Sequence, residues 1–204
     1  MEFEHYAIDT ALSSLTLRAF ASAAFAALEN SPTLVIREFA GWVRFAARTF
    51  DQACVQLKIN AGSLTVAETM NEKDRVAIER MMRREVLEVE RYPEIIFCSS
   101  RLSVSKAGGG QYWINLVGDL SLHGITGTLP VAAQVALVGN TLRAHGEFTV
   151  LQTSYKMKLA PVPAPVPGGT LKLKDEVKCS FNLLARKQTD LAPQEGQIFA
   201  AEGL

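Results

Sequence analysis

The chain has no net charge to offer a partner. Lys plus Arg and Asp plus Glu each number 21 among its 204 residues. That balance argues against a nucleic acid or an anionic membrane attracting the molecule as a whole, and leaves open only a local patch. Cysteine is scarce and odd in number. Cys54, Cys98 and Cys179 lie far apart, each in a strand-like stretch, which argues against a disulfide framework and predicts buried free thiols in a reducing compartment, with the cytoplasm as the expected location. Histidine is equally rare: His5, His123 and His145 are scattered, with no Cys/His/Asp cluster at ligand spacing, so no metal site and no cofactor is expected. Long apolar runs are missing too. The most apolar early stretch, Leu17 to Leu28, is broken by Arg18 and Ser22 and preceded by Glu2, Glu4, His5 and Asp9. Neither a signal peptide nor a membrane span is expected.

What remains is a chain that is 48% hydrophobic and 21% charged, a composition and length suited to one globular domain with a full core. Gln111 to Thr126 organises it. Tyr112, Ile114, Leu116, Leu120 and Leu122 share one parity, whereas Gln111, Asn115, Asp119, Ser121 and His123 share the other, the pattern of a strand with one dry and one wet face. Gly118 falls on the dry parity, where a missing side chain marks a bulge, a bend or close approach by a neighbour. Similar alternation places Leu15, Leu17 and Ala19 together, then Val55, Leu57 and Ile59, then Leu129 to Leu137, then Leu142 to Val150, and finally Leu171 to Leu183. Leu34 to Phe50 is strand-like with mixed parity, and Gly41 is the expected bulge. Residues 21–30 are alanine-rich, a short helix or an irregular crossing that Pro32 ends. The prolines 161–167 predict a stiff extended loop.

Only one stretch changes period. Ile78, Met81, Met82, Val86 and Val89 recur at helical spacing, so a helix is expected over about 71–89, capped by Asn71 or Thr69. Its arginines and glutamates read as a solvated face of side-chain pairs. Met70, Met81 and Met82 read as core packing or as an adaptable lid. The fold class is therefore all-β: an eight-stranded antiparallel barrel, with one main α-helix after the third or fourth strand. The barrel domain takes residues 1–187 and a tail takes 188–204. A barrel of this size is filled by side chains or holds one small ligand, and the alternation alone does not choose.

Tyr6-Ala7-Ile8-Asp9 with Ser14, Ala61-Gly62-Ser63-Leu64, Lys73-Asp74-Arg75, Tyr92-Pro93-Glu94-Ile95-Ile96-Phe97, Gly118 to Thr126 and Lys174-Asp175-Glu176-Val177 together resemble the YceI-like family, the lipocalin-like polyisoprenoid-binding proteins. The resemblance implies a lumen that binds a long isoprenoid, polyprenyl-quinone-like or fatty-acid-like ligand without catalysis, often in a homodimer. The likeness departs from the family in lacking a histidine in the early strand or in the loop after it, in residues 20–33 and in the expected absence of a secretion signal. On that reading Leu57, Ile59, Phe97, Leu116, Leu120, Phe148, Val150 and Phe181 line the lumen as apolar walls. The alternative is a filled-core barrel acting as a protein-interaction module.

A Ser121/His123/Asp119 triad is set aside because three residues on a wet strand face have no dry pocket to tune them. Lys172, Lys174 and Lys178 form a basic stripe, either a head-group guide or a soluble outer face. Asp175 is the one charge on an inward parity, and both it and Asp119 are expected to bond nearby backbone amides.

Overall fold

The chain lays down β1 (Phe3–Ile8), β2 (Ser14–Ala21), β3 (Thr33–Ile36), β4 (Phe39–Ala46), β5 (Cys54–Asn60) and β6 (Leu64–Val66) before α1 (Glu72–Met81). It continues as β7 (Glu94–Gly108), β8 (Gln111–Leu122), β9 (Ile125–Val138) and β10 (Thr141–Leu151). A short hairpin, β11 (Val162–Pro163) with β12 (Thr170–Leu171), precedes the last long strand, β13 (Leu173–Lys187). This computed structural model describes residues 2–21, 33–47, 50, 52–67, 71–159, 162–163, 170–171 and 173–188. The calls on residues 22–30, on Pro32, on the prolines 161, 165 and 167, on Met70 and on the tail beyond Gln188 lie outside them.

Six short strands act as three bent ones. β1 and β2 both pair with β13, β4 and β3 pair with them in turn, and β5 and β6 follow. With β7, β8, β9, β10 and β13 this makes a closed antiparallel barrel of eight strands. The expected meander is present, and the helix follows the third bent strand. The parity change around residue 40 has a different origin from the one expected. Leu34 and Ile36 point inward from β3, Val43 and Phe45 from β4, and the switch falls at the bend Arg37-Glu38. Pairing runs through Gly41 without a register shift. A methyl there would stand 2.6 Å from the Gln56 carbonyl oxygen and 2.8 Å from Ile8, so Gly41 serves close approach, not a bulge. Gly118 does the same for the organising strand: a Cβ at that position would overlap the Phe97 ring.

The third bent strand leaves a problem that α1 solves. β7 pairs with β5 but not with β6, so β6 presents an unpaired edge, and bare backbone polar groups there would be costly if buried. Asn71 caps the helix by accepting the Lys73 amide at 2.9 Å. About two turns later the largely buried Glu79 accepts the Val66 N–H at 3.0 Å, and Arg83 donates to the Leu64 carbonyl at 2.7 Å. The two side chains face each other at 3.6 Å. They act as a substitute strand. This pair is therefore not part of the solvated face expected for the helix, unlike Arg75, which bonds Glu72 at its surface. Beyond Met81 the backbone widens into a π turn over Met82–Val86, and Val86 and Leu87 are buried against the barrel.

Replacing Glu79 by Ala strips the acceptor from a buried amide and is expected to cost about 1–3 kcal/mol. Glu79→Gln keeps an acceptor oxygen and should lose less. Urea unfolding of the two variants checks the order, and equal losses would remove the edge-capping role.

Candidate functional site

Inside the barrel the inward parities meet around a cavity of about 260 Å³. Its length is the notable feature. Met82, Leu87 and Met157 line it beneath the helix, and Phe45, Phe50, Leu142 and Ala185 line it at the far end. All eight residues expected on the walls border it: Leu57, Ile59, Phe97, Leu116, Leu120, Phe148, Val150 and Phe181. No Asp, Glu, Lys, Arg or His lines it among the described residues. The core is thus not filled solid by its own side chains, and the wall offers apolar contact without ionic recognition.

The two ends differ. At the helix end Val86, Leu87, Tyr155 and Met157 are buried. Gln152, 1% exposed, ties the turn after β10 to β13 by donating to the Lys174 carbonyl at 2.9 Å. Asp175, expected inward, instead accepts the Thr153 amide at 2.8 Å and the Thr153 hydroxyl at 2.5 Å. Those bonds hold its carboxyl below the usual range. At the other end a run of aromatic rings crosses the opening: Tyr6 on Phe45 at 5.4 Å, Phe45 to Phe50 at 5.2 Å, Phe50 to Tyr112 at 4.8 Å. Phe50 sits there in the left-handed backbone region, φ +57, which a bulky residue seldom adopts. Met82, read as core packing or as a lid, lines the helix end, whereas sequence reasoning missed Phe50, Leu87, Gln152 and Met157. They come from loops and the helix terminus, where no alternation marks which way a side chain faces.

His123 is not on the wet strand face. It and Gly124 form the two-residue β8–β9 turn, with φ +52 and +72, the left-handed pair that suits a tight hairpin. Its ring is buried against Tyr92 at 4.4 Å, with Nδ1 3.1 Å from the Tyr155 carbonyl oxygen and Nε2 3.5 Å from Glu88. Ser121 bonds Thr126 on the outer wall, and the carboxylate of the exposed Asp119 accepts no hydrogen bond among the described residues, contrary to the backbone-bonding role expected for it. The three are not joined, and His123 fastens the segment after the helix to the β8–β9 turn. Of the basic stripe, Lys178 pairs with Glu147 at 2.6 Å, Lys174 is exposed and Lys172 lies outside the described residues. No group of His, Cys, Asp or Glu among the described residues could hold a metal ion.

The sequence profile of the YceI-like domain matches residues 6–185. The chain belongs to the YceI-like family. Solved structures share the fold at low identity. Burkholderia cenocepacia BcnA is 20% identical, with 87% of this chain and 98% of that chain covered at a TM-score of 0.63. A polyisoprenoid binding domain from Saccharophagus degradans, implicated in plant cell wall breakdown, is 14% identical over 90% and 98% at a TM-score of 0.63. The Campylobacter jejuni YCEI protein is 10% identical over 77% and 85% at 0.54. No curated protein matches the chain. Within the described residues, no helix of this YceI-like protein is long and apolar enough to cross a membrane.

Cys179 is the thiol on the lumen wall, and burial pushes it up to about 12. A raised thiol stays protonated below its own pKa, so at pH 8 only about one in ten thousand is the reactive thiolate. With a maleimide at that pH, the half-buried Cys54 and Cys98 are expected to label and Cys179 to stay free in the folded protein, then to label in urea. Mass spectrometry of peptides reads this; rapid labelling of Cys179 in the folded chain would contradict the closed wall.

Proposed function

We propose that this YceI-like protein binds and carries a long apolar molecule in the barrel lumen, a polyisoprenoid or polyprenyl-quinone-like lipid, without catalysing a reaction on it. The single observation that carries the reading is the shape and chemistry of the cavity: long, lined almost wholly by apolar side chains, with Thr16, Gln152 and Ser180 uncharged exceptions, and free of charged residues among those described. A linear hydrocarbon suits such a space. Each methylene-sized group withdrawn from water gains about 0.8 kcal/mol, so a dozen groups supply roughly 10 kcal/mol against the cost of association. A carboxylate or phosphate drawn deep into the same lumen would meet no partner and pay several kcal/mol. The fatty-acid-like ligand thus fits less well unless its head stays at the rim. Membership of the family, and the polyisoprenoid binding named for the Saccharophagus domain, support the isoprenoid class. The three free thiols fit a reducing compartment such as the cytoplasm, which we include in the proposal along with the homodimer. A protein-interaction module with a filled core is disfavoured by the cavity.

Ala133 faces the lumen opposite Ile114 and Gly146. Ala133→Phe should occupy the space and reduce polyprenyl uptake at least about tenfold while circular dichroism stays β-rich. Native mass spectrometry with organic extraction should find isoprenoid mass on the parent chain and little on the variant. Equal uptake by both, or none by the parent from added polyprenyl alcohol or quinone, would overturn the reading. For the homodimer, the expected outcome is a dimer mass in solution at micromolar concentration; a monomer would remove that part alone.

A further inference from the structure

The outside of the barrel carries an apolar stripe that lumen binding leaves unused. Trp113 is 52% exposed and Val138 70% exposed. On the shared outer face of β8 and β9, Trp113 stands opposite Gln134, and Ala136 and Val138 continue the row toward the rim. That rim is the aromatic end of the lumen: Tyr112, next to Trp113, faces inward and touches Phe50. Among the described residues beside it on the neighbouring strands, the charges are of one sign. Across the strands on the outer face lie Ser105 opposite Trp113, Arg143 opposite Ala136 and His145 opposite Gln134, while Lys106, opposite the inward-facing Tyr112, stands exposed at the rim itself. Lys106, Arg143 and His145 have no ion pair or hydrogen bond among the described residues. Glu147, the next acid along β10, is already held by Lys178 and Ser180. In a chain with equal numbers of acids and bases, this is a local basic margin around an apolar strip.

We propose that this rim docks on an anionic phospholipid surface, with Trp113 and Val138 entering the interface and Lys106 and Arg143 meeting the head groups. Indole rings favour the membrane–water boundary, and basic side chains beside them are drawn to anionic lipid. A second copy of the chain fits less well on two counts. Three side chains on a convex wall offer far less than the roughly 800 Å² per partner that a stable interface buries. A two-fold pairing through this strip would also set basic margins against each other. A fluid bilayer needs no matching shape and supplies the opposite charge. The docking gives the lumen a reservoir, since a long polyprenyl chain resides in membranes; its purpose thus rests on the lumen reading, but its occurrence does not.

The test uses the full chain carrying Trp42→Phe, so that Trp113 alone emits. Ligand-free protein is mixed with phosphatidylcholine vesicles, with and without about a third phosphatidylglycerol, and followed by flotation and emission. Binding to the anionic vesicles with a shift to shorter wavelength is expected. Trp113→Ser should weaken it about tenfold, and Lys106→Glu or Arg143→Glu about fivefold each. All three positions are solvent-facing, and circular dichroism verifies the fold of each variant. Absence of binding, equal binding to neutral vesicles, unchanged binding by the variants, or an emission shift that follows protein concentration without vesicles would each overturn the proposal. Ala133→Phe separates the two readings. It should still dock although it takes up no polyprenyl, whereas a parent that loads polyprenyl from detergent yet ignores vesicles sinks the docking alone.

Discussion

The pairing of β13 on both of its sides holds this molecule shut. One side runs beside β10 from Leu151 to Thr141; the other meets β2 and then β1. A strand satisfied on both edges removes the open ladder that would invite other chains. Closure also forces every inward side chain onto one enclosed axis. The bend at residues 10–13 lets the first strand follow β13 along its length, and the Ser13 hydroxyl seals it by accepting the Leu184 amide at 2.9 Å.

Closure is incomplete at one place, and the helix is there because of it. β6 is only three residues long and lacks a partner toward β7. The carboxylate of Glu79 and the guanidinium of Arg83 supply the acceptor and donor that a ninth strand would have given. The same helix buries Val86 and Leu87 over the end of the lumen. Edge protection and end closure are thus one act of packing, fixed further by His123 between Glu88, Tyr92 and Tyr155. The aromatic end is held by its stacked rings, by the Tyr6 hydroxyl donating to Glu4 at 2.8 Å and by the Phe50 N–H donating to the Ala46 carbonyl at 3.0 Å.

Much of this was legible in the residues. Alternation in Gln111 to Leu122 and in Thr141 to Leu151 matches the strands found there, because side chains on a strand must take opposite faces. The eight proposed wall residues border the cavity because each lies in a run of unbroken parity, Phe97 before the shift at Ser99–Arg101 that moves the inward set of β7 from Ile95 and Phe97 to Leu102 and Val104. Legibility failed where parity does not apply. The switch near residue 40 comes from a bend at Arg37-Glu38 and not from Gly41, and Leu34 to Ala46 is two strands meeting different partners. His123 read as outward because counting by twos continued into a turn, where left-handed backbone redirects the ring. Glu79 and Arg83 looked like ordinary surface charges, since helical spacing says which residues share a face but not what lies against that face.

The sequence by itself determined the all-β class, the main helix, the inward and outward sets of the long strands and the family, because each is written in local periodicity or in short ordered motifs. Tertiary structure alone decided which strands bend and pair to close the sheet, that a long uncharged cavity survives inside it, and that the helix repairs an open edge. It also decided that Trp113 and Val138 share a rim with Phe50. Those features depend on which distant strands become neighbours. Alternation is the same for a filled core and an open one; the difference lies in how side chains from opposite walls meet across the axis, and only the folded chain brings them together.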